Sequence, residues 1–174
     1  AERREVHRFE GHSGWVRACE FSADGRWLAT AGSDDTLRLW DVAGRREAHC
    51  FEGHFGGGVL SCGFSADGRW LASAGGDNTL RLWDMAARRE AHRFEGHTGG
   101  GVLSCGFSAD GRWLASGGAD GTVRLWDLAE RGEAHRFEGH SGCWVLSCGF
   151  SADGRWLASG GSEGTLHLWN VAER

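Results

Sequence analysis

The sequence predicts an all-β fold built from four copies of one four-stranded sheet. Three observations predict it: a repeat of 43 residues, four short strand patterns within each repeat, and turn residues between those patterns. The chain has no helical periodicity of useful length. One such sheet is unable to bury both of its faces, so neighbouring sheets must stack on each other.

Two recurring dipeptides mark the repeat. A Trp-Asp pair, replaced by Trp-Asn in the last copy, recurs every 43 residues, at Trp40, Trp83, Trp126 and Trp169. A Gly-His pair occurs once per repeat, at His12, His54, His97 and His140. The second and third repeats are identical at 35 of 43 positions, which favours recent duplication or design. The whole chain, 1–174, is therefore treated as one unit with repeats at about 1–42, 43–85, 86–128 and 129–171.

The strand patterns are clearest at the start of the chain. Residues 16–21, 26–31, 36–40 and 47–51 are each rich in apolar or β-branched residues and are separated by polar turns. Asp24-Gly25 between the first two favours a tight hairpin turn. The fourth pattern is the most charged, which suits the outer edge of a sheet, since charge discourages unwanted strand pairing.

Composition and charge exclude several function classes. The net charge is −5, and all 19 basic residues are Arg, spread evenly, so no basic face for nucleic acid is expected. There is no apolar run long enough to cross a membrane and no apolar signal region at the N-terminus. We therefore expect a cytoplasmic protein with neither nucleic acid nor membrane as a partner. The chain lacks Pro, Tyr and Lys, and both a fragment of an amplified bacterial protein and an engineered or reconstructed sequence fit that composition.

The motifs together resemble the WD-repeat β-propeller family. Gly-His, a hairpin Asp-Gly and a closing Trp-Asp recur in register over essentially the whole chain. The resemblance implies four four-stranded blades per chain. The family typically has Pro where this chain has Ala, which costs some turn rigidity, at Ala23, Ala66, Ala109 and Ala152.

The resemblance also implies a hydrogen-bonded structural tetrad in each repeat. The four sets are His12, Thr30, Asp34 and Trp40; His54, Ser73, Asp77 and Trp83; His97, Ser116, Asp120 and Trp126; and His140, Ser159, Glu163 and Trp169. The hydroxyl and the acid are four residues apart in every repeat. Glu163, His167 and Asn170 make the fourth repeat the least regular.

A His, a Ser or Thr and an Asp in each repeat superficially form a hydrolase triad. Four copies of one active site in a small domain would be unusual, each set ends on an indole donor, and no G-x-S-x-G elbow is present. Buried polar groups that satisfy one another are the favoured interpretation, so no catalytic residue is expected. A serine-type hydrolase is retained as the alternative.

The remaining chemistry-bearing residues suggest neither metal nor cofactor. The runs Gly56–Gly58 and Gly99–Gly101 precede neither Lys-Ser/Thr nor a helix, so they are expected to be flexible loops and not phosphate cradles. One Cys recurs at a core strand position in each repeat and no C-x-x-C occurs, which favours structural or incidental thiols that act as small hydrophobes, and not metal ligands, at Cys19, Cys62, Cys105 and Cys148.

Three aromatic residues depart from the repeat pattern near the Gly-His loops. Trp15 and Trp144 stand where the other repeats have Gly58 and Gly101, and Phe55 follows His54. The resemblance puts these loops on the usual partner-binding face, where an exposed aromatic side chain could anchor a peptide. Partly buried packing is the other interpretation of the two Trp residues.

The order of strand patterns predicts how the ring closes. A fourth-strand pattern at 4–9 precedes the first Gly-His, and the last repeat lacks that pattern. Four blades are about half of a usual ring and would expose an apolar face at each end. We expect a homodimer that forms one eight-bladed ring, in which 4–9 of each chain completes the last blade of its partner. A monomeric four-bladed ring completed by its own 4–9 segment, and larger or open assemblies, are the alternatives.

The expected function follows from this architecture. The chain is interpreted as a non-catalytic scaffold for self-assembly and for protein or peptide interaction, or as a designed or fragment example of propeller assembly. Ligand binding in the central channel is a further alternative. Fold alone does not fix a function, and no feature of the sequence names a partner.

Overall fold

Fifteen antiparallel strands form four sheets in the computed structural model, which describes residues 4–171. Sheet 1 contains β1 (Val16–Phe21), β2 (Trp27–Gly32), β3 (Leu37–Asp41) and β4 (Arg46–Phe51). Sheet 2 contains β5 (Val59–Phe64), β6 (Trp70–Gly75), β7 (Leu80–Asp84) and β8 (Arg89–Phe94). Sheet 3 contains β9 (Val102–Phe107), β10 (Trp113–Gly118), β11 (Thr122–Asp127) and β12 (Gly132–Glu138). Sheet 4 has three strands, β13 (Val145–Phe150), β14 (Trp156–Gly161) and β15 (Leu166–Asn170).

The strands begin and end where short polar turns satisfy the backbone. In the β1–β2 turn, Asp24 Oδ1 accepts hydrogen bonds from Ser22 Oγ at 2.6 Å and from the Arg26 N–H at 3.0 Å. The Trp27 N–H donates to Ser22 Oγ at 2.9 Å. Arg26 therefore belongs to the turn, and β2 begins one residue later than the sequence pattern predicts.

The core lies between adjacent sheets. The first strands of consecutive sheets run side by side, and each sheet covers one face of the next. Between sheets 1 and 2, Ala29, Ala31, Leu37, Leu39 and Phe51 of the first sheet pack against Val59, Cys62, Phe64, Leu71 and Trp83 of the second. The same arrangement recurs between sheets 2 and 3 and between sheets 3 and 4.

The two outermost sheet faces stay open to solvent. On sheet 1, Val16 is 56% exposed, whereas the equivalent Val59 is fully buried. On sheet 4, Leu166 is 77% exposed, whereas the equivalent Leu37 is fully buried. The single chain is therefore an open stack of four sheets, and in this structure it is not the monomeric four-bladed ring considered above.

The segment 4–9 is not a strand in the single chain. It pairs with none of the fifteen strands, and β15 is left as an edge of sheet 4. The segment therefore does not complete sheet 4 of its own chain. It lies against sheet 1, where Phe9 contacts Trp40 with 5.2 Å between the ring centroids. Pairing of 4–9 with a partner chain remains a prediction.

Among residues 4–171, no helix is long and apolar enough to cross a membrane.

Candidate functional site

The predicted tetrads form connected hydrogen-bond chains inside each sheet. In the second repeat, Trp83 Nε1 donates to Ser73 Oγ at 2.8 Å, and Ser73 Oγ lies 2.7 Å from His54 Nε2. His54 Nδ1 lies 3.0 Å from Asp77 Oδ1. These four residues come from the loop before β5, from β6, from the β6–β7 turn and from β7, so the chain ties four separate segments together.

The structure brings together the predicted residues of the other three repeats in the same way. The distance from His Nε2 to the hydroxyl oxygen is 2.8 Å at Thr30, Ser116 and Ser159. The distance from Trp Nε1 to the same oxygen is 2.8 Å at Thr30 and 2.9 Å at Ser116 and Ser159. His12 and His97 each lie 3.0 Å from their Asp partners. In the fourth repeat, the longer Glu163 side chain contacts His140 Nδ1.

Each acid has a further donor that the sequence interpretation missed. Thr36 Oγ1 donates to Asp34 at 2.8 Å, and Thr79 Oγ1 donates to Asp77 at 2.7 Å. The signal was available, because a Thr follows the acid by two residues in every repeat. A Gly also lies against the tetrad His in every repeat. A Cβ at Gly32 would lie 2.3 Å from His12 Nδ1, so only Gly leaves room for the imidazole ring.

The acids are held in their charged form. Burial raises the pKa of Asp34, but hydrogen bonds from Thr36, the Ser13 N–H and His12 outweigh it and lower the pKa to about 2. The same competition holds the pKa of Asp77 well below its usual value, with His54 and Thr79 as donors.

A buried arginine joins two acids in the second and third repeats, and sequence interpretation missed it as well. Arg81 is 2% exposed; its Nη2 lies 3.5 Å from Asp77, and its Nη1 donates to Glu90. Arg124 makes the equivalent contacts with Asp120, at 3.6 Å, and with Glu133. The fourth repeat has His167 at this position.

The arrangement suits stabilisation of strands better than nucleophilic attack. The Ser73 and Ser116 side chains are fully buried, and Ser159 is 1% exposed, so a substrate has no approach to these three hydroxyl oxygens, whereas Thr30 of the first repeat borders an open groove on sheet 1. Burial also raises the pKa of the Cys105 thiol to about 12 and that of Cys148 to about 11, so both are protonated at neutral pH.

The glycine runs are already occupied by side chains of the preceding sheet. Asp35 accepts hydrogen bonds from the N–H groups of Gly56 and Gly58 at 3.0 and 2.7 Å. Asn78 accepts from Gly101 at 2.7 Å. Donors that could have cradled a phosphate therefore join neighbouring sheets instead.

The three candidate partner-binding aromatic residues are exposed in the single chain. Trp15 is 74% exposed, Phe55 68% and Trp144 56%. The backbones of the two Trp residues are fixed, since their backbone N–H groups donate to the hydroxyl oxygens of Ser33 and Ser162, at 2.7 Å from Trp15 and 3.0 Å from Trp144. Each ring therefore extends from a defined loop.

Comparison with known proteins gives similarity over short segments. A 43-residue segment is 46% identical to the ribosome biogenesis protein ERB1 of Meyerozyma guilliermondii, covering 24% of this chain and 5% of that protein. A 49-residue segment is 41% identical to human WD repeat-containing protein 36, covering 28% and 6%. A 34-residue segment is 50% identical to the target of rapamycin complex subunit wat1 of Schizosaccharomyces pombe, covering 20% and 11%. The aligned segments thus span about a tenth or less of these relatives.

The family comparison covers nearly the whole chain. Four segments match the repeat, at residues 3–41, 45–84, 88–127 and 132–170. Each segment ends on the Trp of the third strand and the residue after it, where the tetrad closes. With three four-stranded antiparallel sheets, one three-stranded sheet and these four repeats, the chain belongs to the WD domain, G-beta repeat family (WD40), whose fold is the β-propeller.

Proposed function

We propose that this chain is a non-catalytic scaffold that joins a second copy of itself into one eight-bladed ring and presents the ring surface to protein or peptide partners. One observation carries the proposal: the two exposed faces have the residue types of the buried ones. Leu166 and Leu168 are 77% and 63% exposed, and their equivalents in sheet 1, Leu37 and Leu39, are fully buried. Burial of a Leu side chain is worth about 1.5–3 kcal/mol, which favours covering these faces.

The exposed face of sheet 1 has a groove that matches the opposite end of the chain. The groove has a volume of about 580 Å³ and is lined by residues that include Phe9, Val16, Leu28 and Trp40. Equivalent residues of sheet 2 pack against Ala29, Ala31, Leu37 and Leu39 of sheet 1. Sheet 4 carries the corresponding set at Ala158, Gly160, Leu166 and Leu168. Sheet 4 of one chain and sheet 1 of another are therefore complementary in the same way as the three internal pairs.

The turn between the second and third strands of each sheet faces the Gly-His loop of the next sheet, and it supports the pairing of sheet 4 with sheet 1 independently. Gly121 faces the loop that carries Trp144, and a Cβ there would lie 2.4 Å from the His140 carbonyl oxygen. The equivalent Gly164 has open space around it in the single chain. The loop before sheet 1 also runs from His through Ser-Gly to a Trp, Trp15, and is one residue shorter, whereas Asp35 and Asn78 precede the glycine-run loops. The fourth repeat thus has the turn that suits the loop of the first.

The segment 4–9 is arranged as an outer strand would be. His7 and Phe9 pack edge to face at 4.7 Å, and His49 and Phe51 of β4 do so at 4.5 Å. Phe9 contacts Trp40 as Phe51 contacts the Trp of the next sheet, at 5.2 and 5.0 Å. Addition to β15 of a second chain would give 4–9 the backbone partners that it lacks here.

The partner-binding part of the proposal is supported by the exposed aromatic residues and by the relatives. Trp15, Phe55 and Trp144 are the types of side chain that anchor protein interfaces. One relative is named as a subunit of the target of rapamycin complex, and thus of a protein assembly. A cytoplasmic location suits such a scaffold and stays a prediction.

Light scattering coupled to size exclusion tests the ring. We expect a mass of two chains that persists on dilution. Leu168→Glu puts a charge on the exposed face of sheet 4 and should give a single-chain mass, whereas Phe55→Glu, at a similarly exposed loop position, should leave the dimer intact. A single-chain mass for the unmodified protein, or equal effects of both variants, would reject the ring.

Selection from a random peptide library tests partner binding. Enriched peptides should bind the dimer and lose affinity when Trp15 and Trp144 are both changed to Ala. Peptides bound equally well by that variant would assign binding to another surface, with the central channel as the next region to test. Specific labelling of Ser73 by a serine-directed probe would favour the hydrolase alternative instead.

A further inference from the structure

We propose that His140, Glu163 and His167 of the fourth repeat form a site for a divalent transition-metal ion, with Zn²⁺ as the ion that suits the donors best. One nitrogen of each imidazole and one carboxylate oxygen of Glu163 all lie within 4.8 Å of one another. Among the described residues, 4–171, this is the one such group of His, Cys, Asp or Glu side chains. It lies where the fourth repeat departs twice from the other three.

The charge pattern of the other repeats indicates why a cation belongs here. Arg81 lies between two carboxylates, Asp77 at 3.5 Å and Glu90 in direct contact, and Arg124 does the same in the third repeat. In the fourth repeat the arginine is replaced by His167 and the aspartate by Glu163. A bound metal ion would restore the positive charge that the guanidinium supplies elsewhere.

The two substitutions also bring the donor atoms together. Glu163 is one methylene longer than the Asp of the other repeats, and its carboxylate contacts His140 Nδ1. The rings of His140 and His167 have centroids 4.3 Å apart, and the latter is stacked on Trp169 at an interplanar angle of 11°. The ligand atoms of a tetrahedral zinc site are roughly 3.3–3.5 Å apart, given bonds of about 2.0–2.2 Å, so small side-chain rotations bring the three donor atoms to this spacing.

The tetrad accommodates a metal ion at His140 Nδ1. Metal binding there requires the ring proton to be on Nε2, which faces Ser159 Oγ at 2.8 Å. A hydroxyl oxygen has two lone pairs, so Ser159 Oγ can accept this proton together with the one from Trp169 Nε1 at 2.9 Å. The hydrogen bond from His140 Nε2–H to the Ser159 hydroxyl then fixes the orientation of the metal-binding ring, as hydrogen bonds to the non-coordinating nitrogen do in known metal sites.

Two imidazoles and one carboxylate are a known donor set for Zn²⁺ and leave one coordination position free. If the proposed ring forms, Glu5 of a second chain corresponds to Glu90 of the second repeat, the acid that Arg81 contacts. This fourth ligand, unlike the other three, rests on the proposed function. The intrachain ligands are present whether or not the ring closes.

Metal titration against a matched variant tests the site. The double change Glu163→Asp and His167→Arg gives the fourth repeat the acid and the arginine of the third, so the fold has a working precedent within the same chain. All histidines except position 167 are shared, so adventitious binding cancels in the comparison. We expect the unmodified protein to bind one more equivalent of Zn²⁺ than the variant, and Co²⁺ to give the visible absorption of a tetrahedral site in the unmodified protein alone.

A reciprocal variant guards against loss of binding through misfolding. The changes Asp120→Glu and Arg124→His install the proposed pattern in the third repeat and should add a second equivalent. Equal zinc stoichiometry in the unmodified protein and the first variant would overturn the site, as would a reciprocal variant that gains nothing.

The same titration separates the site from the ring. In Leu168→Glu, which is expected to be a single chain, the three-ligand site should still bind Zn²⁺, so failure of the ring does not remove the metal. Glu5→Gln should weaken Zn²⁺ binding severalfold in the dimer and leave it unchanged in the single chain. Equal binding of Zn²⁺ by the Glu5→Gln and unmodified dimers would overturn the fourth ligand.

Discussion

At the level of single residues, each tetrad solves the same problem, which is how to bury an indole N–H, an imidazole and a carboxylate without leaving any of them unpaired. The hydroxyl between Trp83 and His54 accepts from one and lies in hydrogen-bond contact with the other, at 2.8 and 2.7 Å. Leaving a buried polar group unsatisfied costs about 1–3 kcal/mol. Replacing the hydroxyl residue, Ser73 in the second repeat, is therefore expected to lower the free energy of unfolding more than replacing any other tetrad residue.

Ser73→Ala should lower the free energy of unfolding by about 1–3 kcal/mol, because it leaves the Trp83 N–H and His54 Nε2 without their partner. Urea denaturation followed by Trp fluorescence measures the change. Ser73→Thr is the control, since the first repeat uses Thr30 at the same place and the hydroxyl is retained. A similar loss in both variants would mean that the side-chain volume, and not the hydroxyl, is what matters.

The low pKa values of the tetrad acids predict how stability depends on pH. The pKa of Asp34 is lowered to about 2, and that of Asp77 is lowered as well. Below about pH 5 the unfolded chain binds protons that the folded chain does not, so the stabilisation is complete above the unfolded pKa of about 3.9 and is lost as the pH falls toward the folded value.

Denaturation at several pH values between 7 and 3 tests this dependence. We expect Asp77→Asn to be less stable than the unmodified protein at pH 7, and the difference between the two to shrink as the pH falls. A difference that stays constant over this range would show that the charge of Asp77 does not contribute.

At the level of elements, the contrast lies between the fifteen strands and the segment 4–9. The strands have partners on the same chain, and the segment has side chains in the position of an outer strand but no strand beside it. If 4–9 adds to a second chain, its removal should affect assembly far more than the fold of one chain.

Deletion of residues 1–9 should therefore give a folded single chain that does not dimerise, as judged by circular dichroism and by sedimentation across a range of concentrations. Phe9→Ala is a milder version that removes the contact with Trp40 and should weaken the dimer without abolishing it. A truncated chain that dimerises as well as the full chain would contradict strand addition.

At the level of the whole molecule, the open faces link stability to association. A protein whose folded form binds a second copy is stabilised by mass action, so its unfolding temperature rises with protein concentration. We expect this rise for the unmodified protein and a concentration-independent, lower unfolding temperature for Leu168→Glu. Differential scanning calorimetry at several concentrations makes the comparison, and the same concentration-independent value for both proteins would contradict association of the folded chains.

Much of the molecule could be predicted from the sequence because its repeats are nearly identical and each feature is local. The strand spans were predicted to within one residue where a turn such as Ser22–Trp27 sets the boundary. The tetrad residues came from the family pattern at a fixed spacing. The buried Arg81 and its two acids were missed, since an arginine in a strand is usually interpreted as solvent-exposed and only packing buries it.

The all-β repeat and its period could be predicted from the amino-acid sequence alone, because alternation, turn residues and spacing are properties of neighbouring positions along the chain, and the family resemblance added the residues of each tetrad. Features that depend on residues far apart in sequence became visible only in the folded chain. In the folded chain, Val16 and Leu166 are exposed, although the equivalent residues of the inner sheets are buried. Folding also brings donor atoms of His140, Glu163 and His167 within 4.8 Å of one another. Identical sequence motifs acquire different surroundings at the ends of the stack, since each sheet is buried only by its neighbours.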